Sequence, residues 1–323
     1  MKLNKVNFIS NLNNNFIFEK NPNVAVAVSG GPDSAALIFL INEWINLVKG
    51  KVTSLIINHN LREESSKESK IVSNFLKEKK INTKILKVKK NKIFKKSMKE
   101  ARINRYNLLT NYCRENSILY LFVAHHKDDQ IETFVNRKIS GSDFYGLQGI
   151  KNIKLTNQIC IIRPLLNYSK KQIIKFNINN GIKFIEDPSN KNYDYTRSVI
   201  RKFLVETSLS IKKKINRDLQ LIQDNSELYN QMISEQLIKN IIEAKKNYIK
   251  TNLNNLLDLD EIILERIIKK IYFYFYNQNI FLKSKKIKIL ISKLNDRNFK
   301  IFNLKSMIVK KDNNFLIFSK KTN

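Results

Sequence analysis

Two short stretches of this chain carry residue types at spacings that could do chemistry. The first is Ser29-Gly30-Gly31-Pro32-Asp33-Ser34, directly after the apolar run Val24-Ala25-Val26-Ala27-Val28. Five apolar, β-tolerant residues read as a buried parallel strand. The Ser-Gly-Gly break, followed by Pro32, Ala35, Ala36, Leu37 and Leu40, reads as the start of a helix. Proline suits a first helical turn, where its missing N–H has no intrahelical partner to lose. Gly30 and Gly31 let the backbone approach an anion closely, and the new helix turns its unpaired N–H groups towards it. Such a turn is a seat for phosphate. It is not a Walker loop, which needs Lys-Ser/Thr after its last glycine, nor a dinucleotide turn, which needs G-x-G-x-x-G.

The second stretch is Ala124-His125-His126-Lys127-Asp128-Asp129-Gln130-Ile131-Glu132-Thr133. A helix starting near Lys127 puts Asp128 and Asp129 in its first turn, where the dipole favours anions. Glu132, three and four residues on, reaches the same patch. In a chain of formal net charge +31 this patch is locally acidic. Its carboxylates could hold Mg²⁺ on a nucleotide, or grip a cationic substrate and accept its proton.

The elements that must position these residues come from the hydrophobic pattern. Strands are predicted over 24–28, 52–58, 81–88 and 118–124, with helices near 34–48, 66–79 and 97–116. That alternation predicts an α/β fold, a doubly wound parallel sheet with right-handed crossovers. Ligands bind such sheets outside the carboxyl ends of the strands. Ser29, His59 and His125 each follow a strand, and His59 reads as part of the wall of a nucleotide pocket. Arg102 and Arg105, three apart, share a helical face suited to triphosphate or an RNA backbone. Residues 139–150 hold three of the chain's seven glycines and read as a mobile loop. A strand-like run ends at Arg163-Pro164-Leu165-Leu166, a helix follows from Ser169, and Arg197 and Arg201 are spaced by four.

After about residue 205 the alternation stops. Helices are predicted over 209–248 and 258–277, with a hairpin signal at Asp312-Asn313-Asn314. The expected organisation is a nucleotide-binding catalytic domain over 1–205. A second, mainly helical basic domain over 206–323 ends in a short β-hairpin.

The 59 Lys and Arg against 28 Asp and Glu point to a polyanionic partner, most simply nucleic acid. Abundant Asn and Ile signal a compositional drift that also raises Lys, so charge is supporting evidence only. Two cysteines exclude a disulfide framework or a structural zinc site, and predict a reduced, intracellular setting. Met1–Lys20 has no apolar core of a secretory signal, and no run reaches the ~18 apolar residues of a membrane span. A cytoplasmic protein without a membrane partner is expected. The oligomeric state is open, a homodimer included.

The loop Ser-Gly-Gly-x-Asp-Ser after a strand resembles that of the N-type ATP pyrophosphatases, the PP-loop superfamily, which cleave ATP between the α and β phosphates. Other motifs follow it in order: His59-Asn60-Leu61-Arg62-x-x-Ser65, Glu100-Ala101-Arg102-x-x-Arg105-Tyr106, His125-His126-x-Asp128-Asp129-Gln130-x-Glu132-Thr133 and Gly141-x-x-x-x-Gly146-Leu147. Arg163-Pro164-Leu165-Leu166, Asp187-Pro188-Ser189-Asn190 and Arg197-x-x-x-Arg201 complete the set. Together, over about residues 20–205, they resemble the tRNA(Ile)-lysidine synthases. The resemblance implies ATP and Mg²⁺ as cofactors, and free L-lysine and a CAU-anticodon tRNA(Ile) as substrates. O2 of the wobble cytidine attacks the α-phosphate of ATP, and the lysine ε-amine then displaces AMP from C2. It implies that Ser29, Gly30, Gly31, Pro32, Asp33, Ser34 and His59 hold ATP, with Asp33 near Mg²⁺. It implies Asp129 and Glu132 on the lysine ammonium groups, and Arg105 and His125 on phosphate or cytosine. Arg102, Arg163, Arg197 and Arg201 are the implied RNA contacts.

Three positions depart from the family, which usually has Asp at Asn58, Gly at Asn60 and Asn at Ser198. The chain is also shorter than long members of the family, so further tRNA-recognition modules are expected to be absent. The rival readings are a tRNA thiolase on the same fold, which needs suitably placed cysteines, and a non-catalytic RNA-binding protein.

Overall fold

The computed structural model describes residues 2–58, 63–87, 98–156, 158–185, 196–276, 282–296 and 298–321; the side chains of 63–66, 98, 99, 101 and 196–198 lie outside that description. The chain divides into two compact units, Met1–Ile222 and Gln223–Asn323.

In the first unit, α1 (Lys5–Asn15) precedes β1 (Asn23–Val28), α2 (Pro32–Leu47), β2 (Lys51–Asn58), α3 (Glu63–Glu78), β3 (Asn82–Lys87) and α4 (Met98–Glu115). Then come β4 (Tyr120–Phe122), α5 (Lys127–Ile139), α6 (Phe144–Leu147), β5 (Ile153–Thr156), β6 (Ile159–Ile162), α7 (Lys170–Asn179), α8 (Thr196–Glu206) and α9 (Leu209–Asp224). The strands form one sheet in the order β3-β2-β1-β4-β6-β5, parallel except for the edge strand β5. β1 lies at the centre, with Val24 opposite Val52 on one side and Tyr120 on the other. A strand buried on both faces needs apolar residues at every position, which is what Val24–Val28 supplies. The order changes direction between β1 and β4, so the crevice of a doubly wound sheet opens above Val28 and Phe122.

Helix α2 buries Ala36, Leu37, Leu40, Ile41 and Trp44, nearly all round, because α1 and α7 cover its outer side. Each large apolar side chain so buried contributes about 1.5–3 kcal/mol. Helix α1 falls in the Asn-rich start of the chain. It docks Phe8 and Leu12, and Asn13 Oδ1 accepts the Trp44 indole N–H at 3.1 Å. The opposite face of the sheet is covered by α4, through Leu109 and Cys113.

The second unit contains α10 (Ser226–Asn240), β7 (Ile241–Lys245), β8 (Tyr248–Asn252), α11 (Leu253–Leu257), α12 (Glu261–Tyr276), α13 (Ser284–Leu294), β9 (Ile301–Leu304), β10 (Met307–Asp312) and β11 (Phe315–Lys320). The expected hairpin is β10–β11, turning through Asn313 at φ +50°. It belongs to a five-stranded antiparallel sheet, β7-β8-β11-β10-β9, whose inner face packs on α12 and α13. The helix expected through residue 248 is therefore overturned: it ends at Asn240, and 241–252 are two strands. Ile249 and Thr251 alternate inward, a period of two that pairs them with β11, and the turn at Lys246-Asn247 carries no Gly or Pro to announce it. Among the described residues, no helix is long and apolar enough to cross a membrane.

Candidate active site

Between Val28 and Pro32 the chain turns sharply, and its own hydroxyls close the turn. Ser34 Oγ donates to the Gly31 carbonyl at 3.0 Å and accepts the Ser29 N–H at 3.2 Å, with Ser29 Oγ also 3.2 Å away. Gly31 is the N-cap of α2 and Pro32 its first residue. Gly30 stands at φ +88°, its carbonyl accepts the Ile185 N–H at 2.9 Å, and a Cβ there would lie 2.8 Å from Val72 Cγ2. Both the backbone angle and the close wall demand glycine.

The acidic patch stands beside this loop. Asp33, Asp128, Asp129 and Glu132 meet His126, Lys170 and Arg201, brought in from separate stretches of chain. His126 is the N-cap of α5, and its N–H donates to Asp129 Oδ2 at 3.0 Å. Its ring Nδ1 lies 3.5 Å from Asp128 Oδ2, and Nε2 lies 3.7 Å from both Asp33 and Asp129. Burial alone would push the His126 pKa down; the Asp128 hydrogen bond and the charges of Asp129, Asp33 and Asp128 outweigh it and push the pKa up. Burial likewise acts to raise Asp128, but the His126 bond and the Lys170 N–H hold it below the usual carboxylate range.

Lys170 opens α7 behind its Ser169–Gln172 capping box. Its N–H donates to Asp128 Oδ2 at 2.7 Å, and Nζ reaches the two Asp33 oxygens at 2.7 and 2.6 Å. Arg201, on α8, donates from Nε to Glu132 Oε1 at 2.6 Å, with Nη2 4.0 Å from Asp129. Burial would lower the Arg201 pKa; Glu132, Asp129 and Asp33 outweigh it and raise it. Glu132 is 5% exposed, and stranding a buried carboxylate costs about 3–5 kcal/mol. Arg201 remains partly in water, which puts this pair below that range.

The other sequence-predicted residues fall as follows. Arg102, on α4, stands 3.2 Å from His125 Nε2 and over the Tyr106 ring. Arg105 shares that helix; partial burial and the Arg102 charge lower its pKa, and it enters none of the described ion pairs of the carboxylate cluster. Arg163 and Arg201, read from the sequence as RNA contacts, each have partners within the protein. Arg163 is 5% exposed and donates from Nη1 to the Lys151 carbonyl at 2.8 Å, so its guanidinium holds the β5 approach rather than an open surface. Arg201 holds Glu132. His59 and Asn60 lie outside the described residues, as do the side chains of Arg197 and Ser198. Sequence reasoning missed Lys170, which sits 137 positions from the aspartate it binds, and named no role for His126.

The glycine-rich stretch 139–150, expected to be mobile, is pinned to α5. Gln130 Nε2 donates to the Ile150 carbonyl at 2.7 Å and Oε1 accepts the Ile150 N–H at 2.5 Å. Arg137 Nη1 donates to the carbonyls of Gly146 and Gly149 at 2.5 and 2.9 Å. A Gln130→Leu variant leaves both Ile150 groups without these partners and is expected to lose about 2 kcal/mol, a fall in Tm of roughly 4–8 °C. An unchanged Tm in a thermal melt would mean the loop holds itself.

A glycine-demanding turn between a central parallel strand and a helix N-terminus, beside an acidic cluster at the sheet's topological switch, defines a PP-loop protein. The family model of the PP-loop domain, an ATP-binding family, matches residues 3–208, and the chain belongs to that family. Among curated relatives, the tRNA(Ile)-lysidine synthase of Orientia tsutsugamushi is 40% identical over 215 residues, 67% of this chain and 48% of the relative. That of Rickettsia akari is 38% identical over 74% of this chain and 54% of its own length. The chain thus spans about half the length of the curated relatives it matches. Among solved structures, the U34-tRNA thiolase NcsA of Methanococcus maripaludis superposes with a TM-score of 0.57 at 17% identity, over 68% of this chain and 78% of that one; the likeness is one of fold.

Proposed function

We propose that this chain uses ATP to join free L-lysine to C2 of the wobble cytidine in the CAU anticodon of tRNA(Ile), forming lysidine. In the first step cytidine O2 attacks the α-phosphorus and pyrophosphate leaves. In the second the lysine ε-amine attacks C2, AMP leaves with the C2–O2 electron pair, and a carboxylate takes the amine proton. The observation that carries this reading is the direct contact between the phosphate loop and the acidic cluster through His126, within 3.7 Å of both Asp33 and Asp129. An ATP site alone needs no such cluster. A cationic co-substrate does.

Ser29, Gly30, Gly31, Asp33 and Ser34 would seat the phosphates. Lys170, now on Asp33, is a cation within reach of that seat, the role a Walker lysine fills elsewhere. Asp129 and Glu132 would take the lysine ammonium groups, with Arg201 yielding or sharing Glu132. Among the described residues no group of three or more His, Cys, Asp and Glu is arranged to hold a metal. Asp33, with the phosphate oxygens of ATP, would hold Mg²⁺, which would supply charge neutralisation. The first unit would carry the chemistry and the second the remainder of the tRNA, in the cytoplasm.

Thiolase chemistry is the weaker reading. Cys113 is buried with its thiol pushed up to about 12, and burial also raises Cys160, whereas sulfur transfer needs a ready thiolate. The reaction is tested by incubating the protein with ATP, radiolabelled lysine and a CAU-anticodon tRNA(Ile) transcript. Label on that RNA is expected. No label would overturn the assignment, and equal label on a methionine tRNA would overturn the specificity.

A further inference from the structure

We propose that the outward face of α13, in the second unit, is a docking surface for the phosphate backbone of RNA. The choice of RNA rests on the tRNA reading above; the surface itself does not. Helix α13 buries Ile287, Leu290 and Leu294 in the core of its unit. On the opposite side Lys285, Lys286, Lys288 and Lys293 are all exposed, and Lys283 precedes the helix. No Asp or Glu occurs between 283 and 293.

Compositional drift towards lysine does not account for this. The neighbouring helices expose acids among their bases, Glu227 and Glu235 on α10 and Glu261 on α12. Of the three long helices of this unit, α10, α12 and α13, the last alone carries no acid. Lys288 meets Glu261 at 3.9 Å with both groups in water, a pair of little worth. Among the described residues Lys285 and Lys286 form no ion pair. Like charges three and four apart, such as Lys285 and Lys288, work against the isolated helix. A polyanion removes that repulsion and releases its own counterions.

The same face argues against a membrane. An interfacial helix needs a free apolar side to sink into lipid, and α13 exposes a single large apolar residue, Ile289, its others being packed in the core.

The test is a full-length variant with Lys285→Gln, Lys286→Gln, Lys288→Gln and Lys293→Gln, beside a four-fold Lys→Arg variant that keeps the charge. All four positions are exposed, so an unchanged Tm is expected. Binding of the whole tRNA is measured across a salt series. If four phosphates are contacted, the slope of log K against log salt falls by roughly 3 in the glutamine variant and is restored in the arginine one. An unchanged slope and affinity would overturn the proposal. So would a variant that keeps tRNA binding but loses adhesion to phosphatidylglycerol vesicles. Failure of the wild-type protein to make lysidine, with the slope change intact, would sink the reaction above and leave the surface standing.

Discussion

Asp129→Asn is expected to keep ATP-dependent pyrophosphate release and lose lysine transfer by about 30- to 3,000-fold. The range follows from the 2–5 kcal/mol attached to removing one partner of a desolvated charge pair, at 1.4 kcal/mol per decade. Asparagine is the informative replacement because Asp129 has two jobs. Its Oδ2 accepts the His126 N–H at the start of α5, and its charge faces His126 and Arg201. An amide oxygen can still accept that N–H, so the helix cap survives while the charge is lost. Asp129→Ala removes both and is expected to lower stability by about 1 kcal/mol in addition. Pyrophosphate release and lysine incorporation, measured on the same samples, separate the two steps. If Asp129→Asn instead loses ATP binding with lysine transfer unaffected once ATP is saturating, the acidic cluster serves the nucleotide and the assigned roles are exchanged.

Gly30→Ala is expected to remove ATP binding almost wholly, by a different physical route. At φ +88° an L-residue is strained by about 1–2 kcal/mol even with free space around it. Here there is no free space, because the new Cβ falls 2.8 Å from Val72 Cγ2 on α3. The loop can relieve both only by shifting the Ser29–Gly31 backbone, the part that would hold phosphate. Adding Val72→Ala removes the contact but not the backbone strain. That double variant should regain thermal stability in part and ATP affinity little. ATP titration calorimetry and a melt read the two separately. Full recovery of ATP affinity would mean that the wall of α3, rather than the dihedral angle, sets the shape of the loop.

The two variants also mark where residue order informs and where it does not. The phosphate loop was legible because everything it requires is local. A buried strand, two glycines, a proline at the first helical position and a serine three residues after Gly31 form one contiguous turn, and their hydrogen bonds close on each other. The parallel sheet was legible for a related reason, since alternating apolar runs and amphipathic stretches leave few other ways to bury both. Helix α1 was not, because its two anchoring residues, Phe8 and Leu12, stand among asparagines and become a helix face only against Trp44. Strands β7 and β8 were hidden by a Lys-, Ile- and Asn-rich composition common to helices and strands alike; pairing with β11 selected between them.

By itself, then, the order of residues determined the class of loop, the α/β framework and the acidic patch at Asp128, Asp129 and Glu132. Tertiary structure alone decided which cations answer those carboxylates. Lys170 reaches Asp33 and Arg201 reaches Glu132 only because α7 and α8 return to the strand ends. It also decided that Arg163 faces inward, and that His126 joins the loop to the patch. Spacing along a helix or strand is short-range information. Ion pairing across the sheet depends on where distant elements pack, and one basic side chain among 59 gives no sign in sequence of which acid it will meet.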